Sequence, residues 1–199
     1  MIYIRKGVFE TNSSSSHSIV MMKEGKPLET VADSNMVDAD WHVNKDGVMD
    51  FWLEDDLEFG RSPFDMLTDW YGRLRYCIAT YGDQKDKLQE IEEICQRRIS
   101  GFVKFKFKED RWEKGYYHGY IDHQSLGLLD AALEKYNIGL EEFIFDNKYI
   151  VVVDGDEYCL FNTLMDTALF NKEAVDDIVS ADYNIEEEYY RRHNGAEEE

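Results

Sequence analysis

The chain has 199 residues, 43% of them hydrophobic and 14% aromatic, which is enough apolar material for a buried core and excludes a disordered protein. No apolar run approaches the roughly 18 residues of a spanning helix, so no membrane partner is expected. Acidic side chains number 42 against 22 basic ones, a net charge of −20, and direct nucleic-acid binding is not expected without a basic footprint. The charge is uneven: residues 1–27 carry +2, 28–60 carry −9, 61–114 carry +2 and 115–199 carry −15. Cys77, Cys95 and Cys159 form no CxxC pair and sit among apolar neighbours, so they read as reduced core residues. With no apolar leader and cleavage pattern at the start, a cytoplasmic location is expected.

In chain order, Met1 to Arg5 and Ser18 to Met22 read as strands joined by a long serine-rich loop. Residues 23–47 are irregular and acidic, with Lys26-Pro27 and Asp46-Gly47 as turn signals. Val48 to Leu53 alternates as a strand. Glu54, Asp55, Asp56 and Glu58 follow as a solvated acidic turn without the ligand spacing of an EF-hand loop. Ser62-Pro63-Phe64-Asp65 has the chemistry of a helix start, and Leu67, Trp70, Tyr71, Leu74 and Ile78 continue an amphipathic helix over 63–81. Gly82 suits its stop. Asp83 is placed to cap a second helix over 84–99, with Leu88, Ile91, Cys95 and Ile99 on its apolar stripe. So short a connection predicts an antiparallel helical hairpin. Its arginines, Arg73, Arg75, Arg97 and Arg98, read as solvated and as the natural place for an anion contact.

Phe102 to Lys108 alternates apolar and lysine residues, a half-buried strand whose lysine row protects an edge or holds a phosphate; the protective reading is preferred. Gly115 to Ile121 reads as an aromatic strand, and Leu126, Leu129, Leu133 and Tyr136 as a helix after it. Leu140 to Phe145 is a short apolar element. Tyr149 to Phe161 reads as a β-hairpin turning on Asp154-Gly155. Glu173 to Val179 reads as a helix, and residues 182–199 as an acidic, frayed tail after one domain over 1–181. The whole predicts an α+β fold: a mainly antiparallel sheet packed against an α-helical hairpin.

Two polar stretches stand out. Thr11, Asn12, Ser13, Ser14, Ser15, Ser16 and His17 place hydroxyls, an amide and an imidazole in a row, with neither Gly nor Pro. Such a run serves either as a polar connector or as a cradle that hydrogen-bonds an anion. Asp122, His123, Gln124 and Ser125 end the aromatic strand and precede a helix, where ligand-binding residues often sit. Ser125 also reads as a cap for that helix. His118 and His123 are five apart and need a bend to share an ion, so no metal is assigned, and no cofactor is identified. Walker A, GxGxxG, HExxH and GxSxG patterns are missing from the sequence, so none of those signatures names a reaction.

The segment from Ile4 through Arg5-Lys6-Gly7-Val8-Phe9-Glu10-Thr11-Asn12 to Ile19 resembles the N-terminus of a family of uncharacterised proteins of phages, prophages and low-GC Gram-positive bacteria. Tyr120-Ile121-Asp122-His123-Gln124-Ser125 and Phe143 to Glu157 resemble the same family, about a quarter of the chain in all. The resemblance implies one shared fold, a phage context (hence a host cytoplasm) and a role for the Asn12–His17 motif, but no activity.

Two functions are therefore expected in order. The first is a binding or catalytic site for a small phosphorylated or nucleotide-like ligand. There Thr11 to Ser16, Gln124 and Ser125 bind, and His17 or His123 is the acid/base with Asp122 orienting its partner. The second is an acidic decoy for nucleic acid that captures a basic host or defence protein, with the serine motif structural.

Overall fold

The computed structural model describes residues 16–23, 43–52, 56–59, 65–108, 119–121, 125–154 and 175–180. The sequence readings of Met1–Arg5, Thr11–Ser15, Glu54 and Asp55 of the acidic turn, 111–118, Asp122–Gln124, Cys159 and the 182–199 tail lie outside them.

The fold is α+β. Strands β1 (Ser16–Met22), β4 (Asp65–Leu67), β7 (Tyr149–Asp154) and β8 (Val175–Ser180) form a four-stranded sheet in the order β4-β7-β1-β8. Every pairing in it is antiparallel. Helices α1 (Trp70–Thr80) and α2 (Lys85–Arg98) make the predicted hairpin. Helices α3 (Leu128–Tyr136) and α4 (Leu140–Phe145) precede β7.

The ladder registers put Ile19, Val151, Tyr149, Leu67 and Val179 on one sheet face, and all five belong to the main apolar cluster. The other face is buried as well, through Val20, Met22, Ile150 and Val152. Burial of both faces is why Tyr149-Ile150-Val151-Val152-Val153 is an unbroken apolar run rather than an alternating one. Over Val151–Val153 the two edges of β7 are filled by β1 and β4. The turn at Gly155 and the return strand of the expected 149–161 hairpin lie outside the described residues.

Four expectations change. The strands at 48–53 and 102–108 do not join the antiparallel sheet. Strand β2 (Val48–Trp52) pairs in parallel with β5 (Lys104–Lys108), and β3 (Glu58–Phe59) in parallel with β6 (Tyr120–Ile121). Parallel pairing needs a long crossover, and the α1–α2 hairpin supplies it for both pairs. Alternation in a sequence marks the faces of a strand but not its partner or direction.

The first helix begins at Trp70, not Pro63, because Asp69 is the N-cap, its Oδ1 accepting from Gly72 N at 2.6 Å. Asp65–Leu67 is instead the edge strand β4. At the second helix Gln84, not Asp83, holds the cap position, without a side-chain bond. Finally, Val175–Ser180 is a strand where a helix was expected: β-branched Val175, Ile178 and Val179 suit the β1 edge, which β8 completes.

The arginines of the hairpin also depart from the solvated reading. Arg97 and Arg98 do lie at the surface, paired with Glu141 at 2.9 and 3.1 Å. Arg75 donates to Asp56 O and lies over the Phe59 and Tyr71 rings. Arg73 is completely buried. Its Nε donates to Ile144 O at 3.0 Å, its Nη1 to Thr68 O at 2.8 Å and Tyr149 O at 2.9 Å, and its Nη2 to Asn147 Oδ1 at 3.2 Å. One planar fork thus joins α1 to the end of β4, to α4 and to the start of β7. Burial lowers its pKa to about 10, opposed chiefly by the carboxylate of Asp69, so the group stays charged at neutral pH.

Removing the guanidinium strands buried carbonyls, each costing on the order of 1–3 kcal/mol. Arg73→Leu should therefore lose about 3–5 kcal/mol of stability in urea denaturation. Arg73→Lys should recover only part of it, because an ammonium cannot reproduce the fork. An unchanged midpoint in both variants contradicts the clamp.

Candidate functional site

The serine motif enters the described structure at its last two residues. Ser16 opens β1 opposite Asp154, and His17 follows opposite Val153. The ladder turns His17 to the same sheet face as Ile19, toward α1. Its imidazole is completely buried, with Nδ1 3.1 Å from Tyr76 Oη and the two rings edge-on at 5.6 Å. A group so enclosed holds a neighbour in place; it does not itself meet a diffusing ligand in this arrangement.

Tyr76 is the centre of the arrangement. Arg73, Tyr76 and Cys77 stand at i, i+3 and i+4 on α1 and are all buried. Burial raises the Tyr76 phenol, so it keeps its proton and is available to donate to His17. Its ring also meets Phe59 edge-on, with centroids 5.4 Å apart. Phe59 is the ladder partner of Ile121, the residue before Asp122. Three successive contacts therefore link His17, at the end of the first motif, to the strand that leads into the second.

Gly119 lets that strand come so close. Its φ is +122°, and a Cβ there would lie 2.7 Å from Ala79 Cα and 3.0 Å from Leu57 O. Only glycine tolerates both the conformation and the approach. Tyr120 N donates to Leu57 O at 2.8 Å, which ties β6 to the residue preceding β3.

Of the second motif, Ser125 is described. It is 2% exposed, and its Oγ has no hydrogen-bond partner among the described residues. It does not cap the following helix. Gly127, with φ +79°, holds that position, so the capping reading of Ser125 is set aside. A buried hydroxyl without a partner is uncommon and requires an explanation. Thr11, Asn12, Ser13, Ser14, Ser15, Asp122, His123 and Gln124 lie outside the described residues.

Cys77 and Cys95 are buried free thiols, raised by desolvation and inert as nucleophiles at neutral pH. No group of three His, Cys, Asp or Glu is placed to hold a metal among the described residues. No described helix is long and apolar enough to cross a membrane.

Sequence reasoning missed Tyr76, Phe59 and Gly119. The face shared by Arg73 and Tyr76 was the available signal, but an arginine on it read as solvent-facing. Comparison with protein-family models, curated proteins and solved structures yields no match.

The His17–Tyr76 tie is open to a double-mutant cycle. Tyr76→Phe and His17→Leu should each destabilise the fold, with a coupling of about 0.5–3 kcal/mol between them in denaturant unfolding. Additive effects would mean that the 3.1 Å contact carries no energy.

Proposed function

We propose that the protein binds, and in the enzymatic form of this reading transforms, a small phosphorylated or nucleotide-like ligand at a site built from the Thr11–His17 and Asp122–Ser125 motifs. The observation that carries the reading is the convergence of their described flanks on one pair of rings. His17 bonds Tyr76, Tyr76 meets Phe59, and Phe59 is the ladder partner of Ile121. The buried hydroxyl of Ser125, without a hydrogen-bond partner among the described residues, adds a group suited to an acceptor.

In this reading the hydroxyls and amides of Thr11, Asn12, Ser13, Ser14, Ser15, Ser16, Gln124 and Ser125 bind the anion. His123 is the acid/base, Asp122 orients it, and His17 positions the first motif through Tyr76. The resemblance of both motifs to a phage and prophage family supports a phage accessory role in the host cytoplasm.

The decoy reading rests on charge alone. The described residues hold 13 basic and 19 acidic side chains, a net of −6, so most of the −20 lies elsewhere in the chain. Among them Lys108, Lys135 and Lys148 each pair with a carboxylate, and Arg97 and Arg98 share that of Glu141. Nothing on this surface favours a basic protein partner over solubility.

A thermal-shift screen with nucleotides, nucleotide sugars, phosphate esters and inorganic phosphate tests the proposal. A ligand that binds the native state raises the melting temperature by mass action, by about 2.7 kcal/mol of stabilisation at a hundredfold excess over Kd. The shift should vanish in Ser14→Ala/Ser15→Ala and in His123→Ala proteins that melt normally without ligand. No shift with any compound, or one that both variants retain, overturns it.

A further inference from the structure

The solvent face of the β2–β5 ribbon is the one described surface where cations stand unneutralised in a row. The parallel register sets Lys104 beside Val48, Lys106 beside Asp50 and Lys108 beside Trp52. Phe105 and Phe107 point the other way, onto the core. Lys108 is already engaged: its Nζ lies 2.9 Å from Asp50 Oδ2 and 4.9 Å from the centroid of the Trp52 ring. Trp52, 42% exposed, is thereby held in place with much of its surface open to water. Lys104 and Lys106 are exposed and make no ion pair among the described residues. In a chain with 42 acidic side chains, two exposed lysines on one strand face that form no ion pair among the described residues invite a reason.

Protection of the edge does not supply it. The outer edge of β5 is closed by α2, where Glu92 accepts from Phe105 N at 3.0 Å and Gln96 donates to Val103 O at 2.7 Å. Those two side chains block strand addition where a partner would begin to pair. What remains open is the face, not the edge.

We propose that this face docks an extended acidic peptide segment of a partner protein, with carboxylates on Lys104 and Lys106 and an apolar side chain against Trp52. The spacing matches. Alternate residues of a strand repeat every ~6.8 Å, and so do alternate side chains of an extended peptide laid along it. The footprint is five residues long, which suits a short segment carrying two or three anchors. A nucleic-acid strand would run beyond it into a net-acidic molecule. At physiological salt, screening within about 8 Å lets a short acidic segment feel the lysines more than the distant carboxylates. The proposal is independent of the ligand site.

The test uses the full chain and a fluorescein-labelled peptide, Gly-Glu-Ser-Glu-Ser-Leu-Gly, followed by fluorescence anisotropy at low and physiological salt. Binding should weaken about tenfold in Lys104→Glu/Lys106→Glu, weaken with salt, and fall again in Trp52→Ala. It should be unchanged in Lys85→Glu, an exposed lysine at the start of α2. No binding by wild type, or equal binding by the double variant, overturns the proposal. So does lysine-dependent binding of an oligothymidylate in place of the peptide.

Discussion

A buried arginine sets the geometry on which the rest of the molecule depends. Arg73 lies in the core without a directly bonded carboxylate, and its charge is met by three backbone carbonyls and one amide oxygen. Such a charge is costly unless every donor finds a fixed acceptor. The acceptors come from the end of β4, from α4, from the turn at Asn147 and from the start of β7. These elements can satisfy the guanidinium only by meeting at one point. The clamp therefore selects the arrangement of α1 against the sheet more than it adds stability.

The same helix carries the functional reading. One turn beyond Arg73, Tyr76 lies between His17 on β1 and Phe59 on β3. The helix that is anchored to the sheet thus also fixes the distance between the strand leaving the serine motif and the strand entering Asp122–Ser125. Gly119 completes this by letting β6 approach Ala79 where any side chain would collide. Strands fixed against a helix are a suitable scaffold for ligand chemistry carried on loops.

Much of this was legible in the residues. Periodicity located the helical hairpin, and Ile91 and Cys95 are buried as their stripe requires. The lysine–phenylalanine alternation gave the correct faces for β5. Partner choice was not legible. Val175–Ser180 has the β-branched content of a strand, but only the open edge of β1 decides that it becomes one. Ser62-Pro63 looked like a helix start, yet Asp69 is the cap that is used. Arg73 was misread for a general reason: a single charge on a helix face cannot be assigned to water or core until its acceptors, here from residues more than 70 positions away, are known. At the site, the motif chemistry was visible, while Tyr76, Phe59 and Gly119, which bring its flanks together, carry no motif at all.

Whether the two polar motifs form one site, as proposed, is read from imidazole ¹H–¹⁵N spectra of the protein titrated with whichever phosphorylated compound raises its melting temperature. Assignment comes from His17→Leu and His123→Ala. His17 and His123 should shift together, with one dissociation constant, because a ligand seated between the motifs perturbs both. A response confined to one of the two imidazoles, or two responses with separate dissociation constants, would contradict a shared site.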